Sequence, residues 1–178
     1  MKGNMMNWGL TIPQAILHAE KYNVDGQLIS RELDGSINST TYGASIKRSK
    51  RLANALTKLG VKTHDRVATI AWNNSRHFET YFAVSGMGAI LHTLNPRYSP
   101  DQLIYILNHA EDSVLIIDPT FIPLVESVQD KLDTVKTIII ASSKDAIPEN
   151  NLNNPLSYEE LINDELDEFD WPEMAEDD

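Results

Sequence analysis

The chain contains no cysteine, which excludes disulfides, thiolate metal sites and cysteine nucleophiles together. Apolar runs are short, such as Val114 to Ile117 and Ile138 to Ala141, far below the ~20 residues that a membrane-spanning helix needs. No sustained apolar stretch follows Met1-Lys2-Gly3-Asn4 before Pro13, so no signal peptide is expected and the cytoplasm is the expected location. Basic residues are scarce: 15 Lys and Arg stand against 26 Asp and Glu, for a net charge of −11. That balance argues against a nucleic-acid partner, which requires a basic surface, and none is expected. Neither G-x-G-x-x-G nor G-x-x-x-x-G-K-[ST] occurs. Ser85-Gly86 lacks the preceding glycine of a nucleophile elbow. The five histidines, His18, His64, His77, His92 and His109, form no pair at metal-ligand spacing.

At 178 residues the chain is long enough for one domain and an appendage, and buries enough surface to need no staples. The charge is unevenly placed. Glu159 to Asp178 holds eleven carboxylates and no Lys or Arg, so residues 1–158 are balanced at fifteen of each sign. The acidity belongs to the end of the chain, and such a segment is expected to be solvated and poorly ordered.

Before that end, helix and strand patterns alternate. Thr11, Pro13 and Gln14 fit the start of a helix whose apolar face is Ile12, Ala15, Ile16 and Ala19. Gln27 to Arg31 and Ile37 to Tyr42 flank an Asp34-Gly35 turn, the signature of a hairpin. Gly43 to Leu59 is a long amphipathic helix stopped by Gly60; Lys47, Arg48, Lys50, Arg51 and Lys58 lie mostly off its apolar face and read as a solvated side. Strand patterns follow at 66–71, 89–94, 113–117 and 136–141. Helices are expected between them at Ser75 to Met87, after the Ser99-Pro100-Asp101-Gln102 capping signal, and at Phe121 to Leu132. Four strands separated by three helices imply an α/β fold with a parallel sheet, flanking helices and an early β-hairpin. The strands are near-continuous apolar runs, as a sheet buried on both faces requires. After Ser142 a Pro/Asn-rich loop leads to one short helix, with a capping box at Ser157 to Glu160 and a staple of Leu156 and Leu161. The boundaries are therefore 10–143 for the α/β part and 144–178 for loop, short helix and acidic end.

Ligands of open parallel sheets sit outside the carboxyl ends of the strands. That rule nominates Asn73, Asn74 and Ser75, then Asn95, Pro96 and Arg97, then Asp118. The same residue types build ordinary strand-to-helix loops, and Asp118-Pro119 also suits a helix start. Gly86-Met87-Gly88 falls at a helix end, where packing or termination accounts for it.

Longer strings carry a more specific signal. Asp65-Arg66-Val67-Ala68-Thr69-Ile70-Ala71-Trp72-Asn73, Arg76-His77-Phe78-Glu79 and Tyr81-Phe82-Ala83-Val84 form one group. Gly86-Met87-Gly88-Ala89-Ile90-Leu91-His92-Thr93-Leu94-Asn95-Pro96-Arg97 and Tyr105-Ile106-Leu107-Asn108-His109-Ala110-Glu111-Asp112 form another. Together they resemble the early part of AMP-forming acyl-CoA synthetases, in particular the medium- and long-chain fatty-acid–CoA ligases, from about Leu10 to Trp171. The resemblance implies the N-terminal subdomain of adenylate-forming enzymes. It implies a reaction in which fatty acid and ATP give an acyl-adenylate and pyrophosphate, with magnesium neutralising phosphate charge, and coenzyme A then displaces AMP. It also implies a cytoplasmic or membrane-peripheral homodimer.

The family's Gly/Ser/Thr-rich phosphate loop does not occur in these 178 residues, nor do its adenine and magnesium segments, its hinge and its C-terminal lysine. Backbone N–H groups of such a loop do electrostatic work that no side chain in this sequence replaces, so no catalytic residue is assigned and the chain alone is expected to be inactive. Asn73, Asn95 and Arg97 are the candidates for substrate contact, from strand-end position. The alternative is a stand-alone interaction module, dimerising through the early helix and hairpin or pairing with a complete ligase. Relatives bury part of their sheet against later segments, so the isolated chain should expose apolar surface. Enhanced ANS fluorescence is the expected result; no dye binding together with a sharp two-state monomeric melt contradicts it.

Overall fold

The computed structural model describes residues 9–176; the first residues, read above for a leader, and Asp177 and Asp178 lie outside them. Among the described residues the order is α1 (Ile12–Tyr22), β1 (Gln27–Arg31), β2 (Ile37–Thr41), α2 (Tyr42–Lys58), β3 (Arg66–Ile70), α3 (Ser75–Gly86), β4 (Ile90–Thr93), α4 (Pro100–Ala110), β5 (Val114–Ile117), α5 (Ile122–Glu126), β6 (Thr137–Ile140), β7 (Leu156–Ser157) and α6 (Tyr158–Asn163). β1 and β2 form the early antiparallel hairpin, closed at Asp34-Gly35 with Gly35 at φ +86°. The remaining strands form one parallel sheet in the order β4-β3-β5-β6-β7.

Side chains alternate across this sheet, as the period of a strand dictates. Val67, Val114, Ile116 and Ile139 enter one apolar cluster with Leu52 and Leu56 of α2, Ala83 and Val84 of α3, and Tyr158 and Ile162 of α6. Ala68, Ile70, Leu115, Ile117, Ile138 and Ile140 enter the other, with Leu103 and Leu107 of α4 and Ile122 and Val125 of α5. The helix signals act locally. Ser99 and Gln102 complete a reciprocal capping box, and Gly60, at φ +91°, follows the end of α2 in a conformation that glycine adopts without strain.

Several expectations are corrected. The sheet has five strands rather than four, because Ser157 Oγ donates to Ser142 O at 2.8 Å and draws Leu156–Ser157 alongside β6. Ser157 therefore makes no capping bond to α6, and no capping box forms. Thr11 makes none to α1 either; Pro13, at the second helical position, has no N–H to offer. The helix expected at Phe121 to Leu132 is broken into α5 between two short 3-10 turns. Ser127 Oγ donates back to Leu124 O at 2.6 Å, competing for a carbonyl the helix would use. β4 is an edge strand with Ile90 exposed, not a run buried on both faces.

The acidic end follows the domain surface through residue 176, with Asp164, Glu168, Asp170, Glu173 and Glu176 exposed and other residues docked. Lys58 pairs with Glu165 at 2.8 Å and Lys47 with Asp167 at 3.4 Å, and Asn54 Nδ2 donates to the carbonyls of Leu166 and Glu168 at 2.9 Å each. Lys47 and Lys58 stay exposed, as expected of a solvated side, while pairing with this segment, and Lys50 pairs instead with Glu20 of α1 at 2.7 Å. Trp171 lies against Gly86, where an added Cβ would meet its ring at 2.7 Å. Gly86→Ala should cost about 1–3 kcal/mol as overpacking and shift Trp171 emission to the red; a raised melting temperature with unchanged emission contradicts that packing.

Candidate functional site

The strand order reverses between β3 and β5, since β4 lies on one side of β3 and β5 on the other. Such a switch point opens a crevice at the carboxyl ends of the two strands. Trp72, Asn73 and Asn74 follow β3 there, and Asp118 follows β5. Asn74 N donates to Trp72 O at 2.9 Å, which places Asn73 at the apex of a tight turn. Asn74 is the N-cap of α3, its Oδ1 accepting from His77 N at 3.0 Å.

Asp118 is fully buried. It caps no helix; instead Oδ2 accepts from Trp72 N at 2.6 Å and Oδ1 from Asn74 Nδ2 at 3.3 Å. Burial pushes its carboxyl above the usual range, while the Trp72 and Asn74 donors and nearby Arg76 pull the other way. Asn73 is exposed. Asn95 and Arg97 are exposed after β4, the strand adjacent to β3. Asn95 Oδ1 accepts from Arg97 N at 3.0 Å, a local side-chain turn. The three sequence candidates thus occupy two neighbouring strand ends, while Asn74, Ser75 and Asp118 are buried and hold the loops in place.

A cleft of about 780 Å³ lies beside the crevice. Pro119 and Thr120 after β5, Ala141 and Ser142 after β6, and the hairpin residues Glu32 to Ile37 bound it, with Arg76 on its wall. Arg76 and Glu32 were not read from the sequence as site residues. Arg76 Nε donates to Glu159 at 2.7 Å, and its Nη1 reaches Glu32 at 3.4 Å. Glu159 also receives a bidentate pair from Arg48, both bonds 3.0 Å. Arg48 Nε donates to Glu79 at 2.7 Å, and Tyr158 Oη donates to the other Glu79 oxygen at 2.8 Å. One charged network therefore joins the hairpin, α2, α3 and α6. Burial raises the Glu79 carboxyl, opposed by Arg48. Burial also works against the Glu159 charge, but the two arginines more than offset it and its carboxyl lies below the usual glutamate range.

Among the described residues, no three His, Asp or Glu side chains converge as a metal site; beside the cleft Arg76 is engaged with Glu159 and Glu32, and Asp34 accepts from Ser36 N and Oγ. The residues present do not form a nucleotide or magnesium cradle, and none is assigned to ATP, magnesium or coenzyme A.

Residues 18–176 match the family described as AMP-binding enzyme. The chain belongs to this family. It is 41% identical over 176 residues to the 3-methylmercaptopropionyl-CoA ligase of Ruegeria lacuscaerulensis, covering 99% of this chain and 33% of the relative. It is 46% identical over 149 residues to the long-chain-fatty-acid–CoA ligase of Thermus thermophilus, covering 84% and 26%. It is 37% identical to the medium-chain-fatty-acid–CoA ligase of Ectopseudomonas oleovorans, covering 99% and 32%. The chain spans about a third or less of the length of these relatives, corresponding to their N-terminal portion. A solved anthranilate CoA ligase in complex with anthranoyl-AMP superposes with a TM-score of 0.78 at 20% identity, over 97% of this chain and 31% of that one. That likeness shows the fold, the α/β framework of an adenylate-forming ligase.

The network makes two predictions. Arg48→Ala leaves the Glu79 carboxylate buried without its partner and should destabilise the domain by about 3–5 kcal/mol in denaturant titration; a loss below about 1 kcal/mol contradicts the network. Glu159 is depressed in the folded state, so its contribution is complete above the ordinary glutamate range and disappears as pH falls through the lower folded value. The stability difference between wild type and Glu159→Gln should be full at neutral pH and vanish in acid; a difference independent of pH contradicts the assignment.

Proposed function

We propose that this chain forms the N-terminal subdomain of an AMP-forming fatty-acid–CoA ligase, which joins a fatty acid to ATP and passes the acyl group to coenzyme A. The observation that carries the reading is the identity of 37–41% with acyl-CoA ligases over 99% of the chain. In this reading residues 10–143 supply the sheet and its strand-end loops, and residues 144–178 lead toward the phosphate loop of the complete enzyme. Asn73, Asn95 and Arg97 contact the acid from neighbouring strand ends, and the enzyme works in the cytoplasm. No described helix is long and apolar enough to cross a membrane. The family's phosphate loop does not occur in the 178 residues, and with it is absent the N–H cradle that stabilises charge on a transferring phosphoryl group.

A second reading, a module that dimerises through the early helix and hairpin, is favoured by Leu17, Tyr22, Ile29 and Ile37, all more than half exposed. Ile29 and Ile37 share the outer face of the hairpin by register.

The test is fatty-acid-dependent release of AMP. The chain alone should release none above background, and in a complete ligase containing it Asn73→Ala, Asn95→Ala and Arg97→Ala should each raise the KM for acid or lower kcat. AMP release by the 178 residues alone overturns the proposal. Unchanged kinetics with reduced stability returns the three residues to a purely structural role. A concentration-dependent dimer in sedimentation, abolished by Ile29→Asp, is the result expected of the second reading; a monomer at all concentrations removes it.

A further inference from the structure

We propose that Asp118 is a positioning residue, acting through a hydrogen-bond relay of fixed polarity, Asp118 to Asn74 to His77 N–H, that sets the turn presenting Asn73 at the crevice. The inference rests on the reading of Asn73 as an acid-contacting residue.

The polarity follows from the donors and acceptors. Asp118 accepts twice, from Trp72 N at 2.6 Å and from Asn74 Nδ2 at 3.3 Å. Only an ionised carboxylate can do both without presenting a donor of its own. With its amide nitrogen committed to Asp118, Asn74 has its carbonyl oxygen turned to His77 N at 3.0 Å. A flipped Asn74 would set its NH2 against the His77 N–H, donor against donor. The state of Asp118 therefore decides whether the first turn of α3 is capped. Asn74 is 5% exposed and Asp118 0%, so water does not readily replace a lost partner, and a buried group left unsatisfied is costly. Asn73 lies between the two residues that Asp118 grips. The charged groups that act on this carboxylate are Arg76 of α3, which favours its ionised form, and Glu32 at the end of β1, which opposes it. Neither donates to it, so the relay does not depend on an ion pair.

The relay is testable because it can be reversed. In Asp118→Asn, one of the two accepting oxygens becomes an NH2, which faces either the Trp72 N–H or the Asn74 NH2. In Asn74→Asp, two carboxylates meet where one donor and one acceptor met. The double variant Asp118→Asn/Asn74→Asp restores every bond with roles exchanged: the new amide accepts from Trp72 N and donates to the new carboxylate, which still accepts from His77 N. Amide hydrogen exchange on the 178-residue chain reads this directly. Asp118→Asn should speed exchange at Trp72 or His77 by about fivefold, the size of one lost capping bond. Asn74→Asp keeps an acceptor for His77 N but sets its charge against Asp118, and should speed exchange at Trp72 and through the first turn of α3. The double variant should return these amides to wild-type rates. Unchanged exchange in the single variants overturns the relay, and so does a double variant that is not rescued. If a single variant unfolds, recovery of the fold in the double supports the relay and failure to recover overturns it.

In a complete ligase containing the chain, Asp118→Asn should raise the KM for acid and the double variant restore it. If Asn73→Ala raises KM but Asp118→Asn does not, the positioning role is overturned. If Asn73→Ala leaves KM unchanged, the acid-contact reading of Asn73 falls, and with it any role of the relay in acid binding, while the exchange data still decide whether the relay exists.

Discussion

The requirement that a parallel sheet be covered on both faces organises this chain. Five short strands supply alternating apolar side chains to two clusters, and the helices are spent in covering them. α2, α3 and α6 close one face and α4 and α5 the other. Parallel pairing places the loops after β3, β4 and β5 at one end of the sheet, and the order β4-β3-β5-β6-β7 puts the reversal between β3 and β5. A crevice, a buried aspartate beneath it and exposed polar residues at its rim all follow from that arrangement. The edge at β4 is the place where coverage stops, with Ile90 open to solvent.

Electrostatics then fixes how the end of the chain is used. Its acidic residues find the basic side of α2, and Glu159 joins Arg48 and Arg76 at the inner end of the contact. The exposed pairs further out, such as Lys47 with Asp167, contribute little each. The buried part matters more, because Glu79 and Tyr158 lie in the apolar interior and have only each other and Arg48 to satisfy them. Through Arg76 and Glu32 the same network reaches the hairpin that bounds the cleft, so segments far apart in sequence share one set of charges.

Features decided within a few residues were legible in the sequence. The hairpin turn at Asp34-Gly35, the stop at Gly60, the box at Ser99 and the apolar runs of β3, β5 and β6 all form as their local chemistry dictates. Features decided across the chain were not. β7 exists because Ser157 finds the carbonyl of Ser142 in a neighbouring strand, a partner no local pattern names. The ties of Lys47, Arg48 and Lys58 to the acidic end were not legible, because those partners lie 107 to 120 residues away along the chain. Asp118 was visible as a strand-end residue, but its grip on Trp72 and Asn74 spans 46 and 44 residues. Arg76 was legible only as part of a family string and Glu32 not at all, since an arginine in the first turn of a helix has many ordinary uses. The family strings succeeded where spacing rules stopped because they sample the whole sheet at once.

The functional account thus has two levels. The family and its fold belong to this chain; the ligase reaction is proposed for a complete protein, as is the place of these residues in its acid site. The most direct measurement is the intact mass of the native gene product isolated from its own cells. The account predicts a mass about three times the 20.0 kDa of this chain, because the chain covers 33% of its relative. A native product of 20.0 kDa contradicts it, and leaves a stand-alone module built on a ligase framework.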